Sequence, residues 1–192
     1  MAATDNLKRG LRQLYLQKRR ALTLNTVLQK SQSIAIKVLN LTQIINNNVI
    51  SCYIPINNEV DTKDLIDNLL EQGKTVVLPC LFQKDHKYHF GKFINRQELK
   101  EGPFGILQPK NPIAVNPSKI EVAILPGLAF AKTGVRLGYG KGVFDKLLSW
   151  SKALKIGLAY DFQIIDEIPK EKQDILVDLI VTERLVWRVG GN

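Results

Sequence analysis

The sequence predicts a single α/β domain, residues 1–192, with an open, mainly parallel sheet flanked by helices and a basic N-terminal helix. Short apolar runs typical of buried strands alternate along the chain with segments whose apolar residues recur at helical spacing. The length of 192 residues, 45% of them hydrophobic, fits one domain with a substantial core. We find no repeat or linker that would divide the chain.

The first predicted helix is amphipathic and basic. Three leucines recur at helical spacing between basic residues: Leu7, Leu11 and Leu14. Thr4 or Asp5 is placed to cap the start of this helix. Residues 1–30 contain seven Lys and Arg against one Asp, hence +6 of the total net charge of +9. Such a segment is suited to RNA, an acidic membrane surface or small polyanions, and charge alone does not separate them.

The second helix is predicted from about Thr23 to Asn40. Its inner stripe should pack on the sheet and consists of Val27, Leu28, Ser31, Ile34, Ala35, Val38 and Leu39. A buried strand follows from Val49 to Ile54 and ends at Pro55.

After a turn at Asn57 and Asn58, a third helix is predicted to begin near Asp61, with Gly73 at its C′ position. Its inner face is formed by Leu65, Ile66, Leu69 and Leu70. The strand from Thr75 to Pro79 completes a βαβ unit, which implies a parallel strand pair with a right-handed crossover.

The rest of the chain adds less regular elements. Residues 86–94 indicate an edge hairpin, and residues 102–118, rich in proline, indicate an irregular crossing segment. Further strands are predicted at 122–125, 155–160, 179–182 and 185–188, with a helix from about Gly142 to Trp150. Ligands on such sheets bind beyond the carboxyl ends of the strands, where loops 57–61 and 127–145 would lie.

The strongest chemical signal lies between Leu125 and Asp145. Glycines at the alternate positions 138, 140 and 142 precede a predicted helix. Glycines adopt positive φ readily and can turn successive amides toward phosphate oxygens at a helix N-terminus. Arg136 and Lys141 would add positive charge, and Asp145 is suited to hold Mg²⁺ on those phosphates. The pattern is neither a Walker A loop nor a dinucleotide-binding fingerprint, and a plain turn is the alternative.

Composition argues against several other classes of protein. No apolar run approaches the ~18 residues of a membrane span, and the N-terminus lacks the apolar core of a secretory signal. Cys52 and Cys80 show neither CxxC nor metal-ligand spacing, so we expect two reduced core thiols. His86 and His89 have no third ligand and are expected at the surface. We expect a cytoplasmic monomer with no membrane or nucleic-acid partner.

The glycine-rich segment, Arg-Leu-Gly-x-Gly-Lys-Gly-x-Phe-Asp after a strand ending Leu-Pro-Gly-Leu-Ala-Phe, resembles the signature of 5-formyltetrahydrofolate cyclo-ligases. These enzymes are also called methenyltetrahydrofolate synthetases. Further blocks match in the same order: Lys8-x-x-Leu11-Arg12 with Arg19, Tyr53-Ile-Pro-Ile-Asn-Asn-Glu59-Val-Asp-Thr62, and Gly157-Leu-Ala-Tyr followed by Gln163, Pro169, Asp174-Ile-Leu-Val-Asp178 and Val181-Thr-Glu183.

The resemblance implies a set of site residues. ATP would be bound by Lys8, Arg9 and Arg12 of the basic helix, which folds onto the glycine loop, and by Arg136, Leu137, Gly138, Tyr139, Gly140, Lys141, Gly142, Val143 and Phe144. The folate would be bound by Ile54, Glu59, Tyr139, Lys141 and Val143. The Mg²⁺ ligands would be Asp145 and Asp174. The catalytic charges would be Lys141, Arg136 and Arg12.

The resemblance also implies the reaction. 5-Formyltetrahydrofolate and ATP would give 5,10-methenyltetrahydrofolate, ADP and phosphate. The γ-phosphoryl group would activate the formyl oxygen, N10 of the folate would attack the activated carbon, and phosphate would leave. The protein would act by positioning and charge neutralisation, without a nucleophile of its own.

Some residues depart from the family's usual pattern. Ala131 stands where Asp is frequent, Val143 replaces the first of two aromatic residues, and Gln173 stands where His is common. These departures bear on folate binding more than on the nucleotide loop. Two alternatives stay open: a related enzyme acting on another folate-like substrate, and a basic nucleic-acid-binding module.

Overall fold

The computed structural model describes residues 2–190, apart from the side chains of residues 2, 3 and 104, so the outermost residues of the predicted domain lie outside it. The helices in this part of the chain are α1 (Ala2–Arg20), α2 (Leu24–Leu39), α3 (Thr42–Ile45), α4 (Lys63–Glu71) and α5 (Val143–Leu147). The strands are β1 (Val49–Ser51), β2 (Thr75–Phe82), β3 (Lys87–Lys92), β4 (Leu99–Glu101), β5 (Leu107–Pro109), β6 (Ala114–Val115), β7 (Val122–Pro126), β8 (Ala129–Ala131), β9 (Arg136–Leu137), β10 (Leu154–Leu158), β11 (Ile164–Ile165), β12 (Leu179–Val181) and β13 (Val186–Arg188).

Eight strands form the central sheet in the order β13-β12-β10-β7-β1-β2-β3-β6. The middle of this sheet, from β12 to β2, is parallel, and β13, β3 and β6 are antiparallel additions at its two sides. Ile50 of β1 lies opposite Val76 on one side and Val122 on the other. The predicted class, an open and mainly parallel sheet flanked by helices, is confirmed.

The predicted βαβ unit is present as β1, α4 and β2. β1 is shorter than predicted, because after Cys52 N donates to Val77 O (2.9 Å) the chain leaves the sheet toward Pro55. α4 begins two residues later than predicted, since the side chain of Asp61 accepts a hydrogen bond from Lys63 N (2.8 Å) at the helix start. Asn57 and Asn58 both have positive φ, as expected for the turn.

The segment 86–118 contains more strand than the sequence predicted. β3 forms the predicted hairpin with β2, but β6 lies outside it, so β3 is not the edge of the sheet. Within the segment expected to be irregular, β5 pairs with β4, and β6 pairs with β3. A further small sheet, β11-β8-β9, was also missed. Strands of two or three residues are too short to show alternation in the sequence.

Apolar clusters cover both faces of the central sheet. On one face, Ile34 and Val38 of α2 pack with Leu65 and Leu69 of α4. Leu28, which was predicted on the inner stripe of α2, is 49% exposed. Cys52 and Cys80 are buried free thiols, as predicted, and burial raises the pKa of each to about 12.

α1 docks with a face that includes only one of its three predicted leucines, Leu11, which is partly buried and packs near Tyr15. Leu7 and Leu14 are largely exposed, whereas the buried positions are Lys8, Tyr15 and Arg19. These positions share one side of a helix, since they are seven and four residues apart. The capping prediction for Thr4 and Asp5 was wrong, because α1 already begins at Ala2.

α5 is also shorter than predicted: it ends at Leu147, and Trp150 lies beyond it, 95% exposed. None of the helices in residues 2–190 has the length and apolar composition needed to cross a membrane.

Candidate active site

A cavity of about 470 Å³ opens beside the ends of β1 and β7. Its walls come from four parts of the chain: α1, the β1–α4 turn, the glycine-rich segment before α5, and the segment before β12. Residues 103–108 and part of β2 close the remaining side. The two loops singled out from the sequence therefore meet in one cavity.

The glycine-rich segment has the geometry expected of an anion-binding loop at two of its three glycines. Gly140 has φ +90°, and Gly142, with φ +62°, is the N-cap of α5. Gly138 does not adopt positive φ. Glycine is needed at this position because a side chain would collide with Arg136: a Cβ atom there would lie 2.8 Å from Arg136 Nη1.

Arg136 and Asp145 form an ion pair in which one guanidinium nitrogen is shared between both carboxylate oxygens. Arg136 Nη2 donates to Asp145 Oδ1 (3.1 Å) and Oδ2 (3.0 Å), and Arg136 Nη1 donates to Pro126 O (3.2 Å). Arg136 Nε is buried and has no hydrogen-bond partner among the described residues. The guanidinium also lies 5.8 Å from the ring centre of Phe144. An unsatisfied donor of a charged group on the cavity wall fits an anionic ligand.

α1 supplies further cations from the opposite wall. Arg12 Nε donates to Gly138 O (3.0 Å), which confirms that the basic helix folds onto the glycine loop. Lys8 is 3% exposed, and its Nζ lies 2.7 Å from Asp174 Oδ2 and 3.3 Å from Glu171 Oε2. Arg9 is exposed and does not line the cavity.

The cavity is also lined by Ile54, Glu59 and Tyr139. Glu59 is 4% exposed, and its Oε2 accepts a hydrogen bond from Ile56 N (3.0 Å). Burial raises the pKa of Glu59 to about 7, against the opposing effects of Arg19, the Ile56 amide and Arg136. The carboxyl group therefore changes charge near neutral pH, next to a space large enough for a ligand.

The comparison with known proteins decides the family. A sequence profile of the 5-formyltetrahydrofolate cyclo-ligase family matches residues 4–183. The chain belongs to this family.

Individual cyclo-ligases are similar over nearly their whole length. The 5-formyltetrahydrofolate cyclo-ligase of Escherichia coli (strain K12) is 33% identical over 181 residues, covering 89% of this chain and 97% of that protein. The Mus musculus cyclo-ligase is 31% identical over 193 residues, covering 93% and 95%. The family predicted from the motifs is thus confirmed.

Solved structures of cyclo-ligases, under the name 5,10-methenyltetrahydrofolate synthetase, share the fold. That from Aquifex aeolicus has a TM-score of 0.87 and 33% identity, and the match covers 97% of this chain and 94% of that chain. That from Mycoplasma pneumoniae has a TM-score of 0.73 and 29% identity, with coverage of 92% and 98%.

The departures from the cyclo-ligase pattern have definite places. Val143 is half-buried and lines the cavity, as do Phe144 and Lys141. Ala131 is fully buried in β8, and a side-chain amide of Gln173 donates to Glu171 Oε2 (2.8 Å) at the cavity wall. Val143 and Gln173 are therefore positioned to affect a ligand, whereas Ala131 is part of the core.

The predicted magnesium ligands of this cyclo-ligase lie on the same cavity. Asp145 and Asp174 both line it and are partly exposed. No group of three or more His, Cys, Asp or Glu side chains with metal-binding geometry occurs among residues 2–190. One or two carboxylates completed by substrate phosphates is the arrangement Mg²⁺ commonly uses, so these residues fit Mg²⁺ held on a nucleotide.

Sequence reasoning gave no role to Arg19. This residue was noted only as part of a matching block, yet it is fully buried behind the cavity and contacts two of its walls, at Asn57 and Tyr139. A charged residue at the spacing of Lys8 and Tyr15 was the available signal, but the exposed leucines led to the wrong face of α1. In contrast, Lys18 and Arg20 of the same helix are exposed.

Proposed function

We propose that this protein catalyses the Mg-ATP-dependent cyclisation of 5-formyltetrahydrofolate to 5,10-methenyltetrahydrofolate, with release of ADP and phosphate. We further propose that it works as a cytoplasmic monomer formed by one domain, residues 1–192. The observation that carries the proposal is a single cavity lined both by a glycine loop with cationic side chains and by a buried carboxyl group, Glu59. Such a lining offers contacts for the phosphates of a nucleotide and for a pterin ring.

The glycine-loop lining of the cavity is suited to phosphates. Arg136 presents a buried Nε without a partner, and Lys141 and Arg12 line the same space. Lys8 lies within reach of both Asp174 and the cavity. We assign these four side chains to the phosphates, together with the backbone from Leu137 to Phe144. When bound, Mg²⁺ would neutralise phosphate charge, with Asp145 and Asp174 as its protein ligands.

The lining around Glu59 is suited to the pterin. A pterin ring presents an amino group and a ring N–H along one edge, and an ionised carboxylate accepts hydrogen bonds from both. Ile54, Tyr139 and Val143 supply apolar or aromatic contact nearby. In our proposal the formyl group lies between the pterin and the nucleotide phosphates, so that the γ-phosphoryl group can reach its oxygen.

The contribution of the protein to the chemistry is charge stabilisation and orientation. As the phosphoryl group moves, Lys141, Arg136 and Arg12 would stabilise the charge that develops on its oxygens. Holding both substrates in one cavity makes the transfer effectively unimolecular. N10 of the same folate then closes the ring, so the residues need only hold the folate in a bent conformation.

The test is a direct assay. Protein, Mg-ATP and 5-formyltetrahydrofolate together are expected to generate the methenyl chromophore, and leaving out any one of them is expected to abolish it. A panel of other folates in the same assay separates this function from that of a related enzyme with a different acceptor. No absorbance above the enzyme-free control at any pH would refute the proposal.

A nucleic-acid-binding role is less well supported by the structure. Three basic side chains of α1, Lys8, Arg12 and Arg19, are turned toward the protein, and two of them are fully or almost fully buried. They are therefore not displayed for a phosphate backbone.

A further inference from the structure

Arg19 is the largest fully buried side chain in the described part of the protein. It extends from α1 behind the cavity and does not line it. Its Nε donates to Asn57 O (2.8 Å), its Nη1 donates to Gly127 O (3.1 Å), and its Nη2 donates to the hydroxyl of Tyr139. Nη1 also lies 3.8 Å from Glu59 Oε1.

Three of these partners, Asn57, Glu59 and Tyr139, line the cavity. They come from two separate loops, the β1–α4 turn and the glycine-rich segment. The guanidinium carbon of Arg19 also lies 5.5 Å from the centre of the Tyr139 ring. A planar group with several fixed donors can hold such loops in one arrangement, whereas a flexible ammonium group cannot.

We propose that Arg19 is the positioning residue of the folate-binding part of the cavity, where it holds the Glu59 carboxyl group by an ion pair and the Tyr139 side chain by a hydrogen bond. This inference rests on the proposed function and adds a residue that would not touch either substrate. Its effect on folate would pass through Glu59 and Tyr139.

The charges around Glu59 support this role. Arg19 approaches it from α1, Arg136 from β9, Tyr53 from the end of β1 and Tyr139 from the glycine-rich segment. Burial raises the pKa of Glu59, and Arg19 opposes that rise more strongly than Arg136 does. Removing Arg19 therefore favours the protonated carboxyl group, which is a poorer acceptor for the donor edge of a pterin.

A purely structural role for Arg19 makes a different prediction. If Arg19 only anchors α1 to the sheet, its loss lowers stability and affects both substrates together. If it positions the folate-binding part, its loss changes the pH dependence of folate binding. The two roles are separated by titrating 5-formyltetrahydrofolate alone, without ATP, over pH 5.5–8.5.

The experiment compares the full-length wild-type protein with Arg19→Gln, and with Arg20→Gln as a matched control at an exposed neighbour. In the wild type, the folate Kd is expected to increase as pH falls through the pKa of Glu59. In Arg19→Gln, this increase should begin about one pH unit higher, which weakens binding about fivefold at pH 7 and about tenfold at pH 6 and below. Arg20→Gln should match the wild type. In a Glu59→Gln background, Arg19→Gln should cause no shift in pH dependence.

Arg19→Lys keeps the positive charge but loses the fork of donors. The pH dependence should stay within about 0.5 unit of the wild type, while the folate Kd rises several-fold and the ATP Kd changes less than twofold. An unchanged folate Kd in Arg19→Lys would overturn the proposal, even if Arg19→Gln does not fold. Equal losses for folate and ATP would overturn it as well. Failure of the wild type to bind folate would instead refute the proposed function.

Discussion

Glu59 is 4% exposed, and an arginine that is itself fully buried lies 3.8 Å from it. Burial favours the neutral acid, whereas we assign the ionised form to pterin binding. Folding stability therefore favours the protonated form of Glu59, whereas ligand binding requires the ionised form. Such a conflict is common for ionisable groups in active sites.

This conflict predicts a pH-dependent stability. The pKa of Glu59 is raised from 4.5 in an exposed acid to about 7 in the fold, so the folded protein binds the proton more tightly. Its contribution to stability is fully present below about pH 4.5 and is lost as pH rises through about 7. The loss is on the order of 3 kcal/mol. Urea unfolding across this range should show it in the wild type, and Glu59→Gln should lack it. Parallel curves for the two proteins would contradict the prediction.

Lys141 tests the nucleotide loop. It is exposed and lines the cavity, so Lys141→Ala should leave the melting temperature nearly unchanged. Turnover should fall on the order of 10²-fold, because one charged donor to the transferring phosphoryl group is removed. Steady-state kinetics and a thermal melt measure both. Lys146→Ala, an exposed lysine of α5 outside the cavity, is the control, and equal ATP kinetics in the two variants would argue against the assignment.

Substituting two aspartates, Asp145 and Asp178, tests which of them is a Mg²⁺ ligand and which has only a structural role. Asp145 lines the cavity and pairs with Arg136, whereas Asp178 accepts a hydrogen bond from Lys155 N (2.7 Å) beside β12. We expect Asp145→Asn to raise the Mg²⁺ concentration needed for half-maximal rate by about tenfold or more, the size of a lost metal ligand or supporting contact. Asp178→Asn should instead lower the melting temperature with little change in the Mg²⁺ titration. Identical metal titrations would show that Asp145 is not a ligand.

Single residues were predictable where the chemistry lies in one short segment. Arg136, Lys141 and Asp145 were singled out from residue type and spacing before a glycine loop, and all three line the cavity. Arg19 could not be singled out in this way. Its role depends on loops 38 and 120 residues further along the chain, and only the fold brings them together.

At the scale of elements, α1 shows how a hydrophobic pattern can give the right helix with the wrong face. Of its three leucines only Leu11 is partly buried, and the fully docked positions are Lys8, Tyr15 and Arg19. The partners that make burial of the two cations possible are carboxylates and carbonyl oxygens from distant loops. An apolar-stripe rule cannot include such partners, so it favoured Leu7 and Leu14.

The orientation of α1 can be tested with two adjacent substitutions. Tyr15 is 7% exposed and packs with Leu128 and Leu137, whereas Leu14 is 44% exposed. Tyr15→Ala should lower the free energy of unfolding by about 3 kcal/mol through the cavity it leaves. Leu14→Ala should lower it by less than about 1 kcal/mol. Chemical denaturation of both variants measures these changes. A larger loss of unfolding free energy in Leu14→Ala would mean that α1 docks with the face that carries Leu14.

The other element-scale errors have a common cause. β8, β9 and β11 have only two or three residues each, and Ala129, Phe130 and Ala131 are all buried. A strand buried on both sides shows no alternation, and one this short cannot be distinguished from a loop. Longer elements such as α2, α4 and β2 carried enough pattern to be predicted within a few residues of their ends.

For the whole molecule, the sequence predicted the sheet class correctly because strands and helices alternate along most of the chain. The order of strands was not predicted beyond the β1–β2 pair, since sequence patterns do not specify which strands become neighbours. Charge was informative only in part. The net charge of +9 pointed to an anionic partner, but the fold decides which cations face the cavity.

The assembly of the cavity from distant segments predicts a long-range response to nucleotide. α1 is held to the glycine-rich segment and to Asp174 by side-chain contacts, and we assign both regions to nucleotide binding. A non-hydrolysable ATP analogue with Mg²⁺ should therefore slow amide hydrogen exchange in residues 8–20 as well as in the loop. Exchange read by mass spectrometry tests this, with α4 as an internal control. If exchange slows only in the glycine-rich segment, α1 does not contribute to nucleotide binding.

The contact between Lys8 and Asp174 spans 166 residues, and this has a consequence for how the protein is made. At ~5–20 residues per second, the ribosome needs roughly 8–30 s after adding Lys8 before it adds Asp174. During that interval the cations of α1 can remain hydrated, because the pairs that make their burial favourable do not yet exist. The strands β1, β2 and β7 can associate earlier, since all of them precede the glycine-rich segment. We therefore expect α1 to dock late, and the nascent chain to complete its nucleotide site only after Asp174 has been synthesised.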